Sequence, residues 1–301
     1  MPLSGNILIT GGSGTLGHAI VRTALQERWD CAITIYSRSE LRQSQMRQQY
    51  GSLRYVLGDV RDAERLCAAI AGHDIVIHAA AMKRLPECDA QPVECYQTNV
   101  QGSINVLRAC QWHGVKRLVA ISTDKACAAS TAYGASKLMM ERAIVVPAQG
   151  VTRCTGVRYG NVVASNGSVV PIWRAQAAAG KPLTVTDPTM TRFWMAPSDA
   201  VKLIEYAATL DHGLIAVPKM GSLSIAEMAD IVAPGAEMVT MGLRFAEKHH
   251  EDLVAPDEFA TETATHYLIG KGDPGKRFTS YMTHRLAPAA FRSMLAEAET
   301  Y

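Results

Sequence analysis

Asn6-Ile7-Leu8-Ile9-Thr10-Gly11-Gly12-Ser13-Gly14-Thr15-Leu16-Gly17 is the stretch on which the reading of this chain turns. Residues 6–10 are a short apolar run, expected as a buried strand. Gly11, Gly14 and Gly17 then form a GxxGxxG pattern. Residues 16–28 follow as a helix with Leu16, Ile20, Ala24 and Leu25 on one face. Strand, glycine turn and helix together open a βαβ unit. Its glycines let the backbone approach a pyrophosphate, and the free N–H groups of the helix start point at the anion. Gly11, Gly14, Thr15, Leu16 and Gly17 are therefore expected to hold a dinucleotide.

Outward from this unit the alternation repeats. Apolar runs at 31–36, 53–57, 74–78 and 117–122 read as strands, with helices such as 92–110 between them. Right-handed crossovers put such helices on both faces of a parallel sheet. The expected class is α/β, a Rossmann doubly wound parallel sheet over residues 1–165. Beyond about residue 160, Pro171, Pro182, Pro188, Pro197, Pro218 and Pro234 punctuate shorter elements. Residues 166–301 are expected to form a smaller, mixed α/β lobe, partly interleaved with the first, that holds the substrate.

Composition narrows the functions open to such a chain. It has 301 residues, 48% of them hydrophobic and 19% charged, too apolar for a disordered protein. Lys and Arg (30) nearly balance Asp and Glu (28), which argues against a nucleic-acid binder. The seven cysteines are irregularly spaced with no CxxC, so neither a disulfide framework nor a zinc site is expected. No leader and no apolar run of about 20 residues is evident, and the expected location is the cytoplasm.

The end of the second strand selects the ribose. An acidic residue about 20 positions after the glycines would bond a 2′-hydroxyl, but the chain reads Tyr36-Ser37-Arg38-Ser39. Arg38 suits a 2′-phosphate through its planar fork, with Ser37 beside it, so NADP is expected over NAD. Gly58-Asp59-Val60 after the third strand resembles the pair that brackets the adenine in dinucleotide-binding proteins, which implies Asp59 and Val60 there. His78-Ala79-Ala80-Ala81 after the fourth resembles their small-residue segment, which implies that Ala79, Ala80 and Ala81 let the chain pass close to the cofactor.

Tyr133-Gly134-Ala135-Ser136-Lys137 is a YxxxK pair on one helix face. Lys137 is expected to lower the Tyr133 phenol from about 10 toward the working range, so that it takes a hydroxyl proton as hydride leaves the same carbon. With the glycine motif upstream, this resembles the short-chain dehydrogenase/reductase superfamily, in its extended, nucleotide-sugar-modifying branch. Ser122-Thr123-Asp124-Lys125 follows the fifth strand. In that branch a Ser or Thr here holds the sugar 4-hydroxyl, the role given to Thr123. The adjacent Asp124 and Lys125 are what a 4,6-dehydratase needs and a plain 4-epimerase does not.

The resemblance then becomes closer. Residues 80–86 (AAMKRLP), 122–126 (STDKA), 133–137, 158–162 (RYGNV), 167–171 (GSVVP) and 184–194 (TVTDPTMTRFW) are similar to the inverting UDP-N-acetylglucosamine 4,6-dehydratases and related polysaccharide biosynthesis proteins. The similarity runs in register over about residues 7–250. It implies C4 oxidation with Tyr133 and Lys137, removal of the C5 proton by a neutral Lys125, protonation of the departing 6-hydroxyl by Asp124, and hydride return to C6. Lysine at position 125 is that family's mark of C5 inversion. The resemblance also places Val162 at the cofactor and Asn161, Ser168, Thr186, Arg192, Arg244 and Glu247 on the UDP-sugar, with Lys83 reaching the sugar side. A homodimer through helices 92–110 and 133–144, or a larger homo-oligomer, is implied as well. His249 and His250 adjoin, but no partner cluster for a metal is evident. The family's loop before the tyrosine carries Pro and Asn where this chain has Ala129 and Thr131. Its Arg-Gly-Ser is Asn166-Gly167-Ser168 here, and its Arg-Pro-Gly-Glu-Lys-x-His is residues 244–250, RFAEKHH. The open alternatives are a 4-epimerase or reductase of the same fold and a non-catalytic NADP-binding protein.

Overall fold

A computed structural model describes residues 2–145, 150–163, 165 and 169–300. In chain order the strands of the first half are β1 (Gly5–Thr10), β2 (Cys31–Ser37), β3 (Arg54–Leu57), β4 (Ile75–His78), β5 (Arg117–Ile121) and β6 (Arg153–Val157). They pair in parallel in the order β3-β2-β1-β4-β5-β6, with Ile9 of β1 opposite Ile35 of β2 and Ile77 of β4. That order is the doubly wound one, whose crevice opens at the carboxyl ends of β1 and β4. The strands are apolar because helices cover both faces. Thr15–Gln26 packs with Pro197–Thr209 on one side. Ala63–Ile70, Gly102–Trp112 and Ala132–Ile144 lie on the other.

The helix expected over 92–110 is not continuous. Pro92–Tyr96 passes into a wide π-turn, Gln97–Gln101, before Gly102–Trp112 resumes. Inserting one wide turn re-aims Asn99. Its amide bonds Met82 O at 2.9 Å and Ser136 Oγ at 2.9 Å, and its Oδ1 accepts from Met82 N at 2.8 Å. The turn thus ties the loop after β4 to the helix that carries Tyr133.

The later strands are β7 (Asn161–Val162), β8 (Leu183–Val185), β9 (Thr191–Met195), β10 (Ile215–Pro218), β11 (Ser222–Ser224), β12 (Met238–Thr240), β13 (Asp252–Val254), β14 (Ala260–Glu262), β15 (His266–Ile269) and β16 (Phe278–Thr279). A second apolar core does form among them, around Trp173, Leu183, Trp194, Leu223, Met228 and Phe291. But the chain after residue 165 also extends the large sheet. β10 pairs in parallel with β6, then β15 and β14 add antiparallel, making nine strands. A cut at residue 165 therefore does not separate two sheets.

Candidate active site

The glycine loop leaves β1 at Gly11, whose φ is +68°; a Cβ there would lie 2.8 Å from the Ala80 backbone. At Gly17 a Cβ would meet the Gly12 carbonyl at 1.8 Å, so only glycine lets the helix start sit on the loop. Gly14 caps Thr15–Gln26 with no side-chain bond, and no acidic residue stands in the first turn. That end is built to take an anion from outside. Ser13 Oγ donates to Ser37 Oγ at 2.9 Å and Gly11 N to Tyr36 O at 2.7 Å, which fixes the loop to the end of β2.

Arg38 projects into solvent there, 61% exposed, its Nη1 4.0 Å from Asp59 Oδ2. Arg61 grips the same carboxylate at 2.8 Å, so Arg38 is only loosely held. Val60 is buried beneath Gly102. Burial holds the Lys83 ammonium below its ordinary value, and Arg42 and Arg84 add to that. Arg42 lies on the helix after β2 and Arg84 is the next residue in the chain.

At the end of β5, Thr123 starts one 3₁₀ turn, Asp124–Ala126. Its Oγ1 donates to Asp124 Oδ1 at 2.9 Å and accepts from Lys125 N at 3.4 Å. Helix Ala132–Ile144, capped by Thr131 Oγ1 on Gly134 N at 3.1 Å, brings Tyr133 against this turn. The approach depends on Gly134, where a Cβ would be 2.2 Å from Lys125 O. The sequence shows that residue only as a spacer inside YxxxK.

The electrostatics depart from expectation at two places. Burial pushes the Tyr133 phenol up to about 12, and the cation that pulls it back is Lys125, with a hydrogen bond shared with Thr123. Lys137, expected to play that part, donates to Met140 Sδ at 2.9 Å, and burial lowers it to about 8. Lys125 is not neutral at rest. Burial works against its ammonium, but Asp124 at 3.0 Å and Glu251 at 3.3 Å outweigh burial and hold it above the ordinary lysine value. Burial raises Asp124, with Glu251 adding to the rise.

Behind the site lies a buried clamp that sequence reading missed. Arg158, 1% exposed, sends Nε and Nη2 to Glu141 at 3.0 and 2.7 Å. Nη1 and Nη2 reach Glu258 at 2.8 Å each, and Nη1 also bonds Leu253 O. Ser122 Oγ donates to Glu141 Oε1 at 2.5 Å. One guanidinium thus joins the β5 turn, the Tyr133 helix and the segment after β13.

On the other side of Lys125, Arg192 has its guanidinium bonded to the chain itself. It is 7% exposed and donates to Thr191 O, His249 O and Lys248 O at 2.8–3.1 Å. It also lies 3.4 Å from Glu247 and 3.8 Å from Glu251, so it shapes the 247–251 turn. Glu247 is half-buried in that turn, with Oε1 toward Arg192 and Oε2 without a partner among the described residues. Arg244 and its neighbour Phe245 are exposed. Thr186 is half-buried, its carbonyl accepting from Gly242 N at 3.1 Å. Asn161 and Val162 sit on β7 opposite Trp194 and Met195 of β9. Ser168 lies outside the described residues. Ring nitrogens of His249 and His250 bond the Thr189 and Thr191 hydroxyls. Among the described residues no group of three or more side chains is arranged to hold a metal, and no helix is long and apolar enough to cross a membrane.

This geometry can be set beside known proteins. Residues 7–271 match the family described as polysaccharide biosynthesis protein. The chain belongs to that family. A relative from Campylobacter jejuni subsp. jejuni serotype O:23/36 (strain 81-176), named UDP-N-acetylglucosamine 4,6-dehydratase (inverting), is 43% identical over 84% of this chain and 78% of its own. One from Rickettsia massiliae (strain Mtu5), named UDP-glucose 4-epimerase, is 39% identical over 84% of this chain and 79% of its own. Among solved structures, Pen from Bacillus thuringiensis superposes with a TM-score of 0.89 at 30% identity, covering 97% of each chain. That superposition covers nearly the whole of both chains, so the two share one fold.

Proposed function

We propose that this family member is an NADP-dependent nucleotide-sugar 4,6-dehydratase acting on UDP-N-acetylglucosamine or a close relative, with inversion at C5. The observation that carries the reading is the buried Asp124–Lys125 pair beside the Tyr133 phenol. The 43% identical relative named as such a dehydratase supports it.

The uncapped helix start at Gly14 and the glycine cradle fit a dinucleotide, and Arg38 fits its 2′-phosphate. Bound there, the nicotinamide would supply the hydride acceptor for C4 and the donor for C6. The chain's own residues do the rest. Thr123 holds the 4-hydroxyl, and Tyr133 takes its proton. The resulting 4-ketone acidifies C5–H. Lys125 takes that proton once the entering sugar has parted it from its carboxylates and it has lost its own to solvent. Asp124 gives its proton to the departing 6-hydroxyl. Lys137, buried, holds the cofactor ribose. Arg244, exposed at the rim, is the cation for the diphosphate, with Asn161, Thr186 and Ser168 toward the sugar. Val93, Tyr96, Trp112 and Met139 expose apolar surface on the helices assigned to a homodimer, which supports that assembly.

The relative named as an epimerase keeps a second reading in view. A 4-epimerase returns hydride to C4 and loses no water. Incubation with UDP-N-acetylglucosamine decides between them: a product lighter by one water supports the dehydratase, and an isomer of unchanged mass overturns it.

A further inference from the structure

Two buried carboxylates share one ammonium at the end of β5. Lys125 Nζ lies 3.0 Å from Asp124 Oδ1 and 3.3 Å from Glu251 Oε1. Asp124 is fully buried and Glu251 is 3% exposed. Each keeps one oxygen, Asp124 Oδ2 and Glu251 Oε2, with no partner. Two negative charges around one cation in a dry pocket repel, and a proton on one carboxylate relieves the conflict.

The surroundings decide which carboxylate takes it. Arg192, on β9, puts Nε 3.8 Å from Glu251 Oε1, and Lys248 adds charge on the same side. Beside Asp124 stand Lys125, the Thr123 hydroxyl, the Tyr133 phenol and, across the ammonium, Glu251, whose charge works against a second one there. We propose that Glu251 is a positioning residue: it carries the counter-charge of Lys125, so that Asp124 stands as a neutral acid. The directions agree. Burial and then Glu251 raise Asp124, while Lys125, Arg192 and Lys248 hold Glu251 below the usual carboxylate range against its burial.

The chemical use of that proton rests on the dehydratase reading. Loss of the C5 proton to Lys125 leaves an electron pair that forms the C5–C6 double bond. The C6–O bond breaks with its electrons going to oxygen, and the Asp124 proton joins that oxygen as water. The proton now on Lys125 passes to Asp124 when the contact between them, 3.0 Å without sugar, re-forms. The proton that Tyr133 took from the 4-hydroxyl matches the one that later restores C5.

The test is a titration of the Asp124 carboxyl by 13C NMR in protein labelled at aspartate, assigned with Asp124→Asn. No sugar is present. In the wild type, Asp124 should titrate above the ordinary value of about 3.9. In Glu251→Gln, Lys125 turns to Asp124 alone, and its midpoint should fall by about one unit or more. Glu251→Asp should restore much of the wild-type value. Asp124 titrating at or below the ordinary value in the wild type overturns the proposal even if Glu251→Gln fails to fold, and so does an unmoved midpoint in that variant. A wild type that titrates as stated but releases no water from UDP-N-acetylglucosamine overturns the functional reading and leaves the role of Glu251 standing.

Discussion

Replacing Arg158 with methionine tests the clamp behind the active site. Methionine fills a similar length but carries no charge, so Glu141 and Glu258 are left facing each other. Their side chains are 3% and 9% exposed, and water cannot reach in to solvate them. Removing one partner of a buried ion pair costs about 3–5 kcal/mol, because the remaining charge is uncompensated. Against a typical total stability of about 5–15 kcal/mol, that is a large share. Urea unfolding followed by circular dichroism at pH 7 measures it. The pH dependence supplies a second check. Arg158 helps hold Glu258 below the usual carboxylate range, against the opposing effect of its burial. Its stabilising contribution is therefore full above the unfolded value of about 4.3 and is lost as pH falls through the folded one. In the variant burial and mutual repulsion raise the two carboxyls, so protonation relieves the stranded charge already at higher pH than that. The stability gap between the two proteins should thus start to shrink above about pH 4.5 and go on shrinking below it. A loss under about 1 kcal/mol at pH 7, or a gap that widens in acid, refutes the reasoning.

Other outcomes follow from the same geometry. Arg38→Asp places a negative charge where a 2′-phosphate would sit, so isothermal titration should show preference moving from NADP⁺ toward NAD⁺ by about tenfold or more, corresponding to about 1.4 kcal/mol; wild-type protein that prefers NAD⁺ would contradict the reading of β2. Lys125→Ala removes both the C5 base and the cation that restrains the Tyr133 phenol, so C4 oxidation should shift to higher pH while elimination slows by about 10²–10⁴-fold; at alkaline pH near-ultraviolet absorbance of reduced cofactor should build up when UDP-sugar is added, and near wild-type release of product counts against the base role. Gly134→Ala drives a Cβ to 2.2 Å from the Lys125 carbonyl; backbone must shift, and thermal unfolding should register about 1–3 kcal/mol of destabilisation.

The glycine loop, the strand–helix alternation around it and the Tyr133–Lys137 helix face were all legible in the sequence, because each rests on local pattern. Glycine spacing, apolar runs and a one-turn helical offset report on themselves. What was hidden depends on residues far apart in the chain meeting. Glu251 follows two histidines with no spacing that points to Lys125, 126 positions before it. Arg192 looks like a free cation in its motif, and only the folded 247–251 turn shows its donors spent on carbonyls. The π-turn at Gln97–Gln101 carries no proline or glycine break inside it; its cause is the set of bonds Asn99 makes across to Met82 and Ser136. Lys137 and Lys125 differ for the same reason, since the helix offset says which residues share a face and nothing about which cation burial leaves nearest the phenol.

The late arrival of β10, β15 and β14 at the large sheet bears on how the chain is made. During synthesis, six parallel strands are complete once Val157 has emerged, yet β6 then ends the sheet with its outer backbone groups unpaired. About sixty more residues must leave the ribosome before Ile215 can cover it, which at roughly 5–20 residues per second is several seconds. Over that interval β6 is an apolar edge, open to pairing with another nascent chain. Arg158, one residue beyond β6, meanwhile waits for Glu258, and the clamp on the catalytic helix closes only when the last third of the chain arrives. A chain truncated after Thr209 would keep the glycine loop and Tyr133 yet present that open edge permanently, and insolubility rather than slow turnover is the outcome to look for.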